Sequence, residues 1–264
     1  MNFENFFTNA DEKPLENIVT DGGFCGIFRT IGCVGDSLSS GEFEGRKADG
    51  TNTYNDYYDY SWGQFLARMC GSKTINFSRG GMTAQEFCEN FGNVCKCWDI
   101  SNACQAYIFA LGVNDLCNRH QEIGSVNDID LNDYTNNKET FAGYYAQIIQ
   151  RIKEIQPRAK FFLMTMPRSG EATRDTIADA HAKLLHEMAE FFDYTYVLDF
   201  NKYAPVYDEE FRENFFLYGH MNPCGYLLTA KMVASYIDFI IRHNMKDFKQ
   251  VGYIGTPHYE PKLD

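Results

Sequence analysis

Residues 31–43 of the chain read IGCVGDSLSSGEF. An apolar run over Ile27, Phe28, Ile31, Cys33 and Val34 stops at Gly35-Asp36-Ser37-Leu38, and polar residues follow at once. A buried strand that ends in glycine and then presents serine holds a hydroxyl above the sheet of an α/β enzyme, as the Gly-x-Ser-x-Gly elbow does elsewhere. That pentapeptide is absent here, and Asn76-Phe77-Ser78-Arg79-Gly80 lacks its first glycine. Gly-Asp-Ser also suits an ordinary turn. Whether Ser37 is a nucleophile therefore depends on what else the chain supplies.

Outward from this strand, the chain alternates short apolar runs with helical periodicity. Residues 1 to about 24 carry no period, hold Pro14 and Gly22-Gly23, and read as an irregular arm. Residues 41–59 read as a polar, tyrosine-rich loop (Tyr54, Tyr57, Tyr58). Ser61-Trp62-Gly63-Gln64 has the form of a capping box, opening a short amphipathic helix through Trp62, Phe65, Leu66 and Met69 that ends at Gly71. Residues 74–77 read as a second strand, and Thr83-Ala84-Gln85-Glu86 as the capped start of a helix to about Phe91. The continuous apolar run AYIFAL at 106–111 is the pattern of a strand buried on both faces. Residues 117–138, rich in Asn and Asp, predict a long loop of the functional or mobile kind.

Phe141, Tyr145, Ile148, Ile152 and Ile155 then repeat at helical spacing up to Pro157. KFFLMTM at 160–166 predicts a fourth strand, stopped by Pro167. Ile177, His181, Leu184, Met188 and Phe191 mark a helix, and TYVLDF at 195–200 a fifth strand. Asn222-Pro223 supplies an N-cap and a first-turn proline for a last helix carrying Leu227, Ala230, Val233, Ile237 and Ile241. From about Lys246 the tail reads as irregular. Strands alternating with helices imply a parallel sheet covered on both faces through right-handed crossovers. With no repeat or linker, residues 1–264 read as a single domain.

Composition narrows the partners. The 264 residues are 44% hydrophobic and 16% aromatic, enough for a sizeable core. A net charge of -12 argues against a nucleic-acid partner, which needs a basic patch, and gives no support for docking on anionic membranes. No uninterrupted apolar run reaches the roughly 20 residues of a membrane-spanning helix. The acidic, polar start MNFENFFTNADEKPLEN is unlike a signal peptide, so a cytoplasmic location is expected. Nine cysteines then read as reduced thiols, mostly small core residues. Cys88, Cys95, Cys97 and Cys104 form a lone C-x-C with two outliers, which is not the usual zinc spacing, and no metal is expected.

In open α/β sheets ligands bind beyond the carboxyl ends of the strands. Gly35-Asp36-Ser37, Gly80-Gly81 and Asn114 follow the first three strands, and His220 lies beyond the fifth, before the last helix. A hydroxyl to attack, an imidazole to take its proton and N–H groups to hold an oxyanion are the parts that acyl transfer needs.

This set, in this order, resembles the SGNH (GDSL) hydrolase family at all four of its blocks. Gly35-Asp36-Ser37-Leu38 is similar to the first, and Asn76-Phe77-Ser78-Arg79-Gly80-Gly81-Met82-Thr83 to the second. Gly112-Val113-Asn114-Asp115 is a full match to Gly-x-Asn-Asp, and His220-Met221-Asn222-Pro223 looks like the His-Pro-Asn region with one residue inserted. The resemblance spans about Ile27 to Tyr236. It implies a three-layer α/β/α sandwich with a mainly parallel five-stranded, flavodoxin-like sheet. It also implies a serine esterase without metal or cofactor: Ser37 attacks, His220 acts as base and then acid, and the Ser37 and Gly81 amides with the Asn114 side chain form the oxyanion hole. The expected partner is a small ester, in particular an acetylated carbohydrate. Alternatives are a lysophospholipase or thioesterase, or a ligand-binding protein on the same scaffold. The oligomeric state is not legible.

The chain departs from the family at one place. The acid that orients the histidine normally stands three residues before it, where this sequence has Leu217. Two substitutes stay open. A backbone carbonyl near Leu217 or Tyr218 accepts the Nδ1 hydrogen, as in family carbohydrate esterases that work as dyads, or Asp208, Glu209, Glu210 or Glu213 reaches in. The apolar surroundings Phe215, Phe216 and Tyr218 favour the carbonyl, since a carboxylate there is desolvated. Asp36 reads as a brace for the serine turn. His181 and His186 sit on a helix without an H-E-x-x-H pattern and read as structural or solvated.

Overall fold

A computed structural model of the chain describes residues 8, 9 and 11–263; the first part of the expected N-terminal arm lies outside the described residues. Five strands form the central sheet: β1 (Thr30–Gly35), β4 (Lys73–Ser78), β5 (Ala106–Ala110), β6 (Lys160–Met164) and β7 (Thr195–Leu198). Their order is β4-β1-β5-β6-β7, and every pairing is parallel. All five lie where the apolar runs predicted them. The first begins later than Ile27 because Gly23–Ile27 forms a 3-10 turn instead.

Alternation along each strand sorts the side chains into two cores. Val34, Phe77, Tyr107, Phe109, Phe161 and Leu163 share one with helices α2 (Phe141–Ile155) and α3 (Ala172–Phe191). Ile31, Cys33, Ile108, Phe162 and Leu198 share the other with α1 (Trp62–Cys70) and α5 (Pro223–His243). Both faces being apolar is why β5 reads as an unbroken run. By length and composition α5 could also cross a membrane, but 72% of its most apolar stretch is buried inside the protein. Its periodic residues Ala230, Val233 and Ile237 account for that burial by packing on the sheet.

The three N-caps form, although of the two expected capping boxes only the N-cap half is seen. Ser61 Oγ accepts from Gln64 N, Thr83 Oγ1 from Glu86 N, and Asn222 Oδ1 from Gly225 N. The helix after Thr83 is only Ala84–Glu86 before the chain relaxes into a wider turn over Phe87–Phe91. The tail is less loose than its sequence suggests. It makes 3-10 turns at Met245–Phe248 and Val251–Tyr253, and buries Phe248, Val251 and Ile254 in the second core.

One segment corrects the sequence reading. Residues 41–59, expected as a loop, contain an antiparallel hairpin of β2 (Glu42–Arg46) and β3 (Asn52–Asp56). A second, two-residue ladder joins β8 (Phe216–Leu217) to β9 (His220–Met221), following the short helix α4 (Glu209–Phe215). The two small ladders touch, and that contact shapes the site.

Candidate active site

The register of the central sheet sets the site. Gly35 stands opposite Ser78 on one side and Ala110 on the other, so β1, β4 and β5 end level with one another. A side chain at Gly35 would run into Ser39, so the strand ends in glycine by steric need. Asp36 then caps the single turn Ser37–Ser40, its Oδ1 accepting from Leu38 N at 3.1 Å. Ser37 is half-buried at the head of that turn.

Gly81 adopts the left-handed φ of 70°, with open space where a Cβ would sit, so its conformation rather than its surroundings calls for glycine. Asn114 lies in the turn Val113–Asn118. Its Nδ2 donates to Met82 O at 3.2 Å and to Asp36 Oδ2 at 3.3 Å, while its Oδ1 accepts from Asn118 Nδ2 at 2.8 Å. Those three bonds fix which way the amide points. They also tie the asparagine to the serine turn through Asp36.

His220 opens β9. The connection from β8 turns through Tyr218, whose φ of 57° is left-handed. The imidazole is largely buried and lies between two carboxylates of β2: Glu42 Oε1 is 2.9 Å from Nε2, and Glu44 Oε2 is 3.6 Å from Nδ1. Ser37, Gly81, Asn114 and His220 all line one cavity of about 550 Å³, as do Asp36 and Glu42. The structure thus gathers the four residues singled out from sequence at the carboxyl edge of the sheet, where β1 neighbours both β4 and β5.

The model of the GDSL-like lipase/acylhydrolase family matches residues 33–228. The chain belongs to that family. Solved structures share the fold of this GDSL-like chain at low identity. A family 3 carbohydrate esterase from Clostridium thermocellum superposes with TM-score 0.53 and 16% identity, covering 81% of this chain and 97% of that one. Est24, a carbohydrate acetylesterase from Sinorhizobium meliloti, gives 0.52 and 13%, over 80% and 99%. The lipase/acylhydrolase from Enterococcus faecalis gives 0.52 and 17%, over 82% and 96%. No curated protein matches the chain.

The GDSL-like site differs from the sequence reading around its histidine. Leu217, at the usual acid position, is 43% exposed, and Tyr218 is 50% exposed. Neither supplies a carbonyl to Nδ1, which is buried without a hydrogen-bond partner among the described residues. Asp208, Glu209, Glu210 and Glu213 do not reach it either. Asp208 caps α4 by accepting from Phe211 N, and the three glutamates are exposed on that helix. Glu42 and Glu44, which the sequence reading missed, flank the ring instead, Glu42 in contact with Nε2 and Glu44 facing Nδ1 from beyond hydrogen-bond distance. Burial, with Asp56 and Glu44 nearby, raises the Glu42 carboxyl, although His220 pulls the other way.

His181 is structural, as expected: fully buried, it accepts from Met166 N, packs beneath Gly112, and burial lowers it to about 4, so it is neutral. All nine cysteines are free thiols. Burial pushes Cys95 up to about 11 and Cys104 to about 12. Among the described residues no cluster of three His, Cys, Asp or Glu side chains is placed to hold a metal ion.

Asp36 makes a testable pH signature. Burial raises its carboxyl from 3.8 to about 7, with Asp115 adding to the shift. The folded state therefore holds a proton that the unfolded chain releases near pH 4. Stability from this group is complete below pH 4 and is lost as pH rises through about 7, amounting to roughly 4 kcal/mol at most. Asp115, raised to about 6, acts in the same direction. Relative to wild type, Asp36→Asn should accordingly be more stable at pH 8 than at pH 5, by urea unfolding at both values. An equal stability difference at the two pH values would show that Asp36 titrates normally.

Proposed function

We propose that the protein is a serine esterase that removes short acyl groups, acetyl in particular, from carbohydrate or another small polar alcohol. The observation that carries this reading is the convergence of Ser37, Gly81, Asn114 and His220 on one cavity. In the reaction, Ser37 Oγ attacks the ester carbonyl carbon and its proton passes to His220 Nε2. The carbonyl oxygen becomes an oxyanion, held by the Ser37 and Gly81 amides and the Asn114 side chain. Collapse expels the alcohol, which leaves with the proton from Nε2, and the acyl group stays on Ser37. Water then attacks the acyl-serine, gives its proton to Nε2, and the second collapse releases the acid and restores the Ser37 hydroxyl.

The cavity is of a size that encloses a small ester. Apolar side chains such as Leu111, Met164 and Phe200 line it together with the polar Ser169, Arg174 and Arg212. A lining of both kinds suits an ester that joins a short acyl group to a hydroxylated alcohol. That two of the structural neighbours are a carbohydrate esterase and a carbohydrate acetylesterase agrees with this choice. A fluorophosphonate probe should label wild type on Ser37, and acetylated oligosaccharides should be turned over at least tenfold faster in kcat/KM than lysophosphatidylcholine. Faster lysolipid turnover would favour a lysophospholipase. Neither labelling nor turnover would favour the ligand-binding alternative.

A further inference from the structure

We propose that Glu44, on the β2–β3 hairpin, is the residue that positions His220, taking over the task of the acid that is absent at Leu217. The inference rests on the serine esterase reading. Three observations converge on this side chain. Its Oε2 lies 3.6 Å from His220 Nδ1, an atom with no other hydrogen-bond partner among the described residues. Its side chain is only 8% exposed. It is also held from both ends: Asn52 Nδ2 donates to Oε1 at 3.1 Å and Gly219 N donates to Oε2 at 2.8 Å.

The Gly219 bond matters most. Gly219 immediately precedes His220, so Glu44 grips the backbone that carries the imidazole as well as facing the ring. A Cβ at Gly219 would meet Glu44 Oε2 at 2.6 Å, so glycine there makes room for the carboxylate. Further contacts bind hairpin and turn together. The Tyr54 ring meets the His220 ring edge-on at 5.8 Å, and the Arg46 guanidinium lies over the Tyr218 ring at 4.4 Å.

The chemistry follows from what a carboxylate accepts. An ionised carboxylate has only lone pairs to offer. Facing Nδ1, it favours hydrogen on Nδ1 and stabilises the imidazolium that forms; Glu42 Oε1, 2.9 Å from Nε2, has to give up that contact before Nε2 can take the Ser37 proton. The gap at 3.6 Å must close by about half an ångström, a tightening common when substrate binds. Glu42 does not fit this role, because its carboxylate meets Nε2, the atom that must receive the Ser37 proton. Strand geometry separates the two roles: residues 42 and 44 lie on one face of β2, and Phe43, on the other, packs against Tyr57, Tyr60 and Tyr226.

Glu44→Gln tests the charge while keeping an amide oxygen for Gly219 N. With p-nitrophenyl acetate, kcat should fall by between about 10² and 10⁴, with KM within threefold. The acid limb of the kcat/KM profile should move to lower pH, because the imidazolium loses its counter-charge. Fluorophosphonate labelling should slow in step, and Glu210→Gln, on the exposed face of α4, should behave as wild type. A loss below tenfold, or a large loss with an unmoved pH profile, overturns the proposal, since a purely structural Glu44 would not shift the profile. Should Glu44→Gln fail to fold, Glu44→Asp, which keeps the charge but draws it about one methylene back from Nδ1, should lower kcat by at least about tenfold with fluorophosphonate labelling slowed in step; no loss overturns the proposal. An active wild type with an equally active Glu44→Gln refutes this inference alone. An inactive, unlabelled wild type refutes the esterase reading and this inference with it.

Discussion

Ser37→Ala and His220→Ala should each lower kcat for ester hydrolysis by at least about 10⁴-fold, and the double variant should be no worse than either single one. Nucleophile and base act as a unit. Without the hydroxyl the imidazole has no proton to take, and without the imidazole the hydroxyl is a weak nucleophile. The two variants should differ in stability. Ser37 is half-buried at the head of a short turn already capped by Asp36, so its loss should stay within about 1 kcal/mol. The His220 ring stands between Glu42 and Glu44, and its removal leaves two carboxylates facing an empty site. His220→Ala should therefore be the less stable of the two in urea. Retention of more than a tenth of wild-type activity by Ser37→Ala would end the serine mechanism.

The strands, and the four residues that the fold gathers round one cavity, were legible because each is written locally. Apolar runs such as AYIFAL mark strands buried on both faces, and Ser37, Gly81 and Asn114 lie just beyond such runs. The hairpin was not legible for the complementary reason. Glu42, Phe43, Glu44, Gly45 and Arg46 opposite Asn52, Thr53, Tyr54 and Asn55 carry polar residues on both faces, so hydrophobic alternation is missing. Only Asp49-Gly50 signalled a hairpin turn. Its functional weight was hidden further still, because Glu44 and Gly219 lie 175 positions apart. Pairings at that separation depend on the assembled fold, whereas Asp208, Glu209, Glu210 and Glu213 lie close to His220 in the chain.

In the proposed role of Glu44, a residue distant in sequence does the task for which Leu217 carries no acid. In the sequence pattern, the acid and the histidine share one short segment, so the turn alone orients the ring. Here the segment from Phe216 to Met221 is a two-rung ladder with Leu217 exposed, and the ring is gripped from outside by β2. At Glu44, Asn52 and the Gly219 amide supply the donors that offset the burial of its carboxylate.

Asn114→Ala should lower kcat by about 10²–10³ with little change in KM, the size expected for one oxyanion donor. The structure gives a specific reason why this amide suits the task. Asn118 takes its oxygen, and Met82 O takes one of its two hydrogens at 3.2 Å, so the amide cannot rotate freely. The remaining hydrogen is shared with Asp36 Oδ2 at 3.3 Å, and it is the one an oxyanion would draw away. Because the other two bonds hold the amide in place, only this one hydrogen bond is exchanged when charge develops on the substrate oxygen. Asn114→Asp should be worse than Asn114→Ala, since it adds a carboxylate beside Asp36 in a site that must hold negative charge. Fluorophosphonate labelling, which forms a comparable tetrahedral adduct, should slow in parallel with kcat for both variants. A loss below tenfold for Asn114→Ala, or an aspartate variant as active as the alanine one, would remove Asn114 from the oxyanion hole and leave it as a brace for the serine turn.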